Sequence, residues 1–310
     1  MINLTRRSFL KTNLRLASGY LLGASFSAPY IMTVNGSIPF SALGKALTHE
    51  HVLVDFIGAD KINKDRYDID EAFQQALPYL HQLKQRGCTA LIECTPSYLG
   101  KDVVLLKRLS EASGLHIITN TGYYGAAGQK FLPAHVYNEA AEQIAARWIK
   151  ENNDGIDGTG IKPGFMKLGV NDVPFSNEID KIIKAAAITH LQTGLTIGIH
   201  TSNGGKPAME ELRILRENKV SPEAWIWIHA QNEKDSVYHV EAARLGGWIA
   251  FDGISENSID ENIMFLSKMK ENKLMRRVLI SQDAGWYHVG EPHGGNYRDY
   301  NYLFDYFYLP

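Results

Sequence analysis

The sequence predicts a (β/α)8 barrel of the TIM type. Three observations support this prediction: a length of 310 residues with 45% hydrophobic residues, eight short runs rich in β-branched residues, and amphipathic helical patterns between those runs. Strands that alternate with helices of this length are typical of parallel βαβ units, and eight strands complete one barrel. A doubly wound open sheet is the alternative, but no glycine fingerprint for a dinucleotide follows the first predicted strand.

The predicted strands and helices alternate along the whole chain after the first 45 residues. The strands are predicted at 46–55, 89–96, 116–124, 164–170, 196–202, 224–231, 248–253 and 277–284. The helices are predicted at 71–87, 102–113, 134–151, 178–193, 206–217, 235–246 and 260–274. Only 26 residues follow Ala284, and they open with the loop-like sequence GWYHVGEPHGGNYRDY, so we expect an abbreviated final helix.

Residues 1–30 are predicted to be a signal peptide, followed by a single domain over residues 31–310. Arg6 and Arg7 in TRRSFLK precede the mildly apolar LASGYLLGASFSAPYI, which resembles a twin-arginine export signal with small residues near Ser27 for cleavage. The apolar stretch is shorter than the roughly 20 residues that span a bilayer, so we expect no stable membrane anchor. The sequence therefore predicts a bacterial protein exported to the periplasm.

The charge of the chain points to a small-molecule substrate. The formal net charge is -2, and no run of lysine and arginine occurs beyond the first fifteen residues. A nucleic-acid partner would require a basic surface, so none is expected.

Six side chains suited to metal binding fall at the ends of predicted strands. In a barrel of this type the carboxyl ends of the strands form one mouth, where the chemistry takes place. A single histidine there is more often structural, but six such groups at one mouth favour a metal site. They are His49 and His51 on strand one, Lys167 on strand four, His200 on strand five, His229 on strand six and Asp283 on strand eight.

The order HxH, Lys, His, His, Asp resembles the amidohydrolase superfamily, and five segments are similar to its phosphotriesterase-related family. These segments are THEH, GFMKLG, IHTSNGG, IHAQNE and SQDAGWY. The resemblance implies two divalent metal ions, with His49, His51 and Asp283 on the buried ion and His200 and His229 on the exposed ion. It also implies that Lys167, carboxylated by CO2, bridges them. Zinc is the first expectation, and the same ligands suit manganese, cobalt or iron.

The resemblance further implies hydrolysis by a hydroxide that bridges the two ions. Such a pair of ions lowers the pKa of a shared water to about 7 and polarises the scissile oxygen. Asp283 would be the catalytic residue that accepts the proton of the water. Members of the family are often dimers, so a homodimer is a further expectation.

Two positions of this chain depart from the organophosphate hydrolases of that family. Their proton relay uses a histidine after strand seven and an aspartate three residues past the strand-six histidine, where this chain has Gly253 and Asn232. Neither residue can relay a proton, so we expect a lactone or carboxylic ester as substrate. The alternatives are a phosphotriester or phosphoester hydrolase with the same metals, and an inactive, C-terminally shortened metal-binding remnant. Asp252 is a candidate to orient the metal ligands.

Aromatic residues after strands three and eight are candidates for contacts with the substrate. Packing within the loops explains aromatic residues at such positions equally well. The candidates are Tyr123, Tyr124, Trp286, Tyr287 and His288.

Overall fold

The computed structural model describes residues 29–307, which form a parallel (β/α)8 barrel preceded by a hairpin. Strands β1 (Tyr30–Thr33) and β2 (Gly36–Pro39) are the antiparallel hairpin, which the sequence patterns did not indicate. The barrel strands are β3 (Ala46–Glu50), β5 (Ala90–Glu93), β6 (His116–Ile118) with its continuation β7 (Asn120–Thr121), β8 (Phe165–Val170), β9 (Thr196–Thr201), β10 (Trp225–Ile228), β11 (Trp248–Phe251) and β12 (Val278–Ile280). Two short parallel segments, β4 (Leu53–Val54) and β13 (Tyr287–His288), pair at the barrel mouth.

Each barrel strand from β3 to β12 lies parallel to the next one along the chain. The barrel closes between β12 and β3, where side chains take part in most of the bonds. The hydroxyl of Thr48 donates to the carbonyl of Ile280 at 3.2 Å, and the amide of His49 donates to Oγ of Ser281 at 3.0 Å. Two backbone bonds complete the seam: the amide of Asp283 donates to the carbonyl of His49 at 3.2 Å, and the amide of His51 donates to the carbonyl of Ala284 at 2.9 Å.

The helices cover the outer face of the barrel, and four of them begin at capping side chains. Their bounds are α1 (Ile69–Gln85), α2 (Val103–Ser113), α3 (His135–Asn138), α4 (Ala141–Asp154), α5 (Asn177–Thr193), α6 (Gly205–Glu217), α7 (Ser236–Leu245) and α8 (Ile259–Glu271). Asp68, Asp102, Ser176 and Asp235 accept hydrogen bonds from the first free amides of α1, α2, α5 and α7.

The predicted helix over 134–151 is two helices. Glu139 and Ala140 are extended, with ψ angles of 151° and 164°, and they separate α3 from α4. The side chain of Gln143 accepts the amide of Ala140 at 2.9 Å, so this amide is satisfied without a continuous helix.

After β13, the chain up to the last described residue forms a 3-10 helix, Pro292–Gly294, and a five-residue π-helical turn, Leu303–Phe307. This turn stands in place of the helix that would follow the last barrel strand, in agreement with the predicted abbreviated final helix. The residues of β12 are half-buried, whereas every residue of β8 is buried. An apolar groove of about 340 Å³ runs between α8 and β12 and is lined by Ile263, Leu266, Met275, Val278, Ile280 and Phe307.

The predicted export signal lies almost entirely outside the described residues, so it stays a prediction. Among residues 29–307, no helix has both the length and the apolar character that crossing a membrane requires.

Substitution of a fully buried core leucine tests the packing of the barrel. Leu91 on β5 has no exposed surface and belongs to a buried cluster with Leu47 and Leu80. We expect Leu91→Ala to lower the free energy of unfolding by about 2–5 kcal/mol, because it removes apolar contacts and leaves a cavity. Urea denaturation measures this loss. Leu191→Ala, at a side chain that is 57% exposed, should change the value by less than about 0.5 kcal/mol. Equal effects of the two substitutions would contradict this packing.

Candidate metal centre

The six predicted ligands meet at the carboxyl ends of the barrel strands. Because all the strands are parallel, these ends share one mouth. Lys167 lies within β8 and His200 within β9, whereas His51 and His229 directly follow β3 and β10. Asp283 lies three residues beyond β12 rather than in the strand, which is shorter than predicted.

His49, His51 and Asp283 direct their polar atoms toward one point. The Nε2 atoms of His49 and His51 are 3.3 Å apart, and Oδ1 of Asp283 is 3.6 Å and 3.2 Å from them. Oδ1 of Asp283 is enclosed and accepts no hydrogen bond. Nζ of Lys167 lies 3.4 Å from Nε2 of His49. Two imidazole nitrogens and an unsatisfied carboxylate oxygen at this spacing fit the ligand preferences of one divalent transition metal ion.

Asp252 orients two of the histidines. Its Oδ2 lies 3.1 Å from Nδ1 of His49, and its Oδ1 lies 2.6 Å from Nδ1 of His229. The hydroxyl of Thr95 lies 2.7 Å from Nδ1 of His51. A partner at Nδ1 fixes the tautomer and leaves Nε2 as the metal-binding nitrogen. The carboxylate at the end of β11 therefore acts on ligands from two other strands, β3 and β10.

The electrostatics favour neutral imidazoles at three of the four histidines. Burial, reinforced by the charge of Lys167, lowers the pKa of His49 to about 3. Burial also lowers the pKa of His51, and it lowers that of His200 well below the usual value. Burial acts in the same direction on His229, but Asp252 outweighs it and raises the pKa. Neutral imidazole is the form that binds a metal ion.

The two carboxylates of the site are held in the ionised form. Burial alone would raise the pKa of Asp252, but His229 and His49 hold it well below the usual range. Burial also opposes ionisation of Asp283, and contact with His51 and the charges of His49 and His229 outweigh it. Both groups therefore supply negative charge to the centre.

His200 and His229 lie side by side at the same mouth. Their ring centroids are 4.3 Å apart. Nε2 of His200 lies 2.9 Å from the hydroxyl of Tyr124 and 3.3 Å from Oγ of Ser202. The charge of Lys167 acts to lower the pKa of all four histidines, although Asp252 outweighs this effect at His229, so Lys167 lies close to both pairs of histidines. Conversion of this cation to an anionic carbamate would reverse its effect on a bound cation.

Glu50, between the two histidines of the first strand, holds the turn that carries Asp283. Its carboxylate accepts hydrogen bonds from Oγ of Ser281 at 2.7 Å, the amide of Gln282 at 3.1 Å and the amide of Ala284 at 2.6 Å. These bonds support Asp283 in the left-handed region, with φ of 52°. Sequence reasoning missed this role, although a carboxylate inside an apolar strand was a signal.

Gly285 allows the same turn to approach β3 closely. Its φ is 94°, and a Cβ atom there would lie 1.8 Å from the carbonyl oxygen of His51. The hydroxyl of Tyr300 donates to that carbonyl at 2.6 Å. Only glycine fits this position, so the backbone after Asp283 depends on it.

Neither relay position offers a proton-transfer group. A Cβ atom at Gly253 would lie 2.7 Å from Nε2 of Gln231, whose amide fills this space. Gln231 donates to Oδ1 of Asp252 at 2.9 Å and accepts the Asp252 amide at 3.2 Å. Asn232 is exposed and donates to the carbonyl of Ser202 at 3.2 Å. At the relay position after β11, the structure thus has the amide of Gln231 in the space where a histidine side chain would lie.

Three of the predicted substrate contacts lie at or beside the metal ligands. The ring of Trp286 is 4.6 Å from that of His51, and its indole N–H donates to the carbonyl of Asp283 at 2.9 Å. His288 stacks on Trp286 at 5.8 Å, and Tyr124 contacts His200. These side chains line one side of the mouth.

Tyr123 and Tyr287 point away from the metal ligands, contrary to expectation. The hydroxyl of Tyr123 lies 2.9 Å from Nε2 of His135, and its ring packs edge-on against Trp148. Tyr287 is buried, and its hydroxyl donates to Glu71 on α1 at 3.1 Å. Tyr124 and Trp286 face the mouth, and their chain neighbours Tyr123 and Tyr287 face the opposite side. Trp286 does so with φ of 80°, outside extended backbone.

The structure is that of a barrel protein with a candidate metal site at the mouth of the barrel. Comparison with known families agrees with this assignment. The family model described as the phosphotriesterase family matches residues 29–308. The chain belongs to the phosphotriesterase family.

Three relatives illustrate what this chain is similar to. The phosphotriesterase homology protein of Escherichia coli (strain K12) is 29% identical over 265 residues, covering 84% of this chain and 88% of that protein. An aryldialkylphosphatase of Saccharolobus solfataricus is 27% identical over 243 residues, covering 78% and 74% of the two chains. The solved structure of a mutant PTE-like lactonase of Deinococcus radiodurans matches with a TM-score of 0.77 and 27% identity over 84% of each chain.

Asp252→Asn tests the orienting role of the shared carboxylate. We expect metal affinity to fall about 10–100-fold, as is typical when a partner of a metal-bound histidine is lost. The measurement is competition for zinc with a chelator of known affinity. The exposed Asp260→Asn is the matched control and should retain the original affinity. Unchanged zinc affinity in a folded Asp252→Asn protein would show that Asp252 does not position the ligands.

Proposed function

We propose that this protein is a binuclear metal-dependent hydrolase of lactones or carboxylic esters. The observation that carries the preference is the absence of a proton-transfer group at Gly253 and Asn232, together with the amide of Gln231 against Asp252. A phosphotriesterase relay would require titratable groups there. The likeness to a PTE-like lactonase supports the same substrate class.

The metal ligands in this proposal are the six predicted side chains. His49, His51 and Asp283 would hold one ion, His200 and His229 would hold the other, and carboxylated Lys167 would join them. Zinc is the proposed metal, with manganese, cobalt or iron as alternatives that these ligands accept equally. When bound, the ions lower the pKa of water and polarise the scissile oxygen.

The chain's own groups supply proton transfer and orientation. Oδ1 of Asp283 faces the two imidazole nitrogens and would hold the ion, so the other carboxylate oxygen, Oδ2, would take a proton from the attacking water. Burial raises the pKa of Tyr124, which keeps its hydroxyl protonated and able to donate to a substrate oxygen. Trp286 and His288 offer an aromatic wall for the apolar part of an ester or lactone.

Phosphotriester or phosphoester hydrolysis is the second candidate. The similarity to an aryldialkylphosphatase favours it, because the same metal ligands serve both reactions. An inactive remnant is the third hypothesis, and metal content together with turnover decides it.

Two further proposals rest on sequence features alone. We propose export to the periplasm by a twin-arginine route, supported by Arg6 and Arg7 and the following apolar stretch, without a stable membrane anchor. We also propose a homodimer with no nucleic-acid partner, on the resemblance to the family and the formal net charge of -2.

Turnover of two matched aryl substrates tests the preferred reaction. We expect the zinc-loaded protein to contain close to two ions per chain and to hydrolyse an aryl lactone with a kcat/KM at least about tenfold above that for an aryl dialkyl phosphate, a difference of about 1.4 kcal/mol. Asp283→Asn serves as the inactive control. Faster hydrolysis of the phosphate would replace this proposal with the second candidate, and a folded protein without metal would favour the remnant.

Lys167→Met tests the bridging role. The substitution keeps most of the buried volume but cannot form a carbamate, so we expect fewer than two ions per chain. Turnover should fall more than about 100-fold, beyond the loss typical of outer-shell partners. Metal analysis and lactone turnover, each with and without bicarbonate, are the measurements. The exposed Lys107→Met should behave like the unmodified protein. Two bound ions and full activity in Lys167→Met would rule out the bridge.

A further inference from the structure

A second cavity lies at the same end of the barrel but outside the ring of strands. Its volume is about 250 Å³, and its lining includes Ser97, Tyr98, Lys101, Tyr123 and Glu151. None of the six predicted metal ligands is among its lining residues. The apolar residues Val54, Leu99 and Phe131 pack against Tyr124 and Trp286 beside the metal centre.

Lys101 brings an ammonium group with one hydrogen bond into this cavity. Its Nζ donates to the carbonyl of Asn120 at 2.6 Å, and within residues 29–307 it forms no ion pair. An ammonium group has three donors, so two remain for other acceptors. Burial lowers the pKa of Lys101, and the charges of Glu151 and Asp157 act against that effect.

Glu151 brings the opposite charge to the same cavity. Its Oε2 is enclosed and has no hydrogen-bond partner. The other charged residues of the lining are already paired, because Asp55 accepts from Arg66 at 2.6 Å and Asp157 lies 3.5 Å from Lys64. Enclosed charges without partners are costly, so Lys101 and Glu151 are the two groups that a ligand would satisfy.

Neutral polar groups and a strained residue complete the lining. Ser97 offers a hydroxyl, and the hydroxyl of Tyr123 is held by His135 at 2.9 Å. Tyr98 has φ of 65°, a left-handed conformation that is unusual for an aromatic residue. Such strain concentrates at ligand-binding and active sites.

We propose that this cavity binds a small zwitterion of the amino-acid class, with the carboxylate at Lys101 and the ammonium at Glu151. The volume of about 250 Å³ is large enough for a small amino acid together with water molecules. A ligand with both charges satisfies both groups, whereas a simple anion or cation leaves one of them unpaired. This inference is independent of the proposed hydrolysis.

Calorimetric titration of the zinc-loaded full chain with L-alanine tests the proposal. We expect saturable binding with a Kd below about 1 mM, a free energy of about −4 kcal/mol. Sodium acetate and methylammonium chloride, at matched ionic strength, each carry only one of the two charges and should bind at least tenfold more weakly. Binding of either salt as tightly as alanine, or no alanine binding, would overturn the proposal and leave a water-filled cavity.

Charge-removing variants locate the binding. Lys101→Met and Glu151→Gln should each weaken alanine binding at least tenfold, while the exposed controls Lys107→Met and Glu142→Gln leave it unchanged. Glu151 is only half-buried, so Glu151→Gln alone decides the question if Lys101→Met does not fold. Unchanged alanine affinity in folded Glu151→Gln would place the binding elsewhere and refute the assignment.

Discussion

The closure of the barrel depends on one buried carboxyl group, that of Glu50. Glu50 receives three hydrogen bonds from residues 281–284, at the seam where β12 meets β3. Burial raises its pKa to about 8, and the three donors offset part of that effect. Because these donors flank Asp283, the contact that closes the barrel also sets the position of a predicted metal ligand. The hydrogen bonds of Glu50 therefore serve both the closure of the barrel and the placement of Asp283.

A second buried acidic residue, Asp252, orients histidines from two different strands. Asp252 contacts the Nδ1 atoms of His49 and His229, which come from strands far apart in the sequence. This arrangement is possible because parallel strands bring the ends of β3, β10 and β11 to one mouth. Each of the two proposed ions would then have one ligand oriented by the same group. The geometry of one half of the centre is linked to that of the other.

The fold was predictable from periodicity, and part of the site from strand ends. All eight barrel strands and most of the helices lie within a few residues of the prediction, because hydrophobic periods of 2 and 3.6 report burial directly. The break at Glu139 was missed, since neither glycine nor proline marks it. Glu50 acts through partners more than 200 residues away, which no local pattern reveals. The sequence does not show which side chain of each neighbouring pair, Tyr123 or Tyr124 and Trp286 or Tyr287, points into the mouth, because the backbone there is irregular.

The half-buried state of β12 has a consequence for local stability. Free energies of local opening vary along a protein, and strands with few buried apolar contacts open before the global transition. In native-state hydrogen exchange, β12 would form a low-stability foldon, separate from the fully buried β8. The turn with Asp283 follows β12 directly. An ion bound by Asp283 and by histidines of other strands would therefore raise the free energy of local opening of β12.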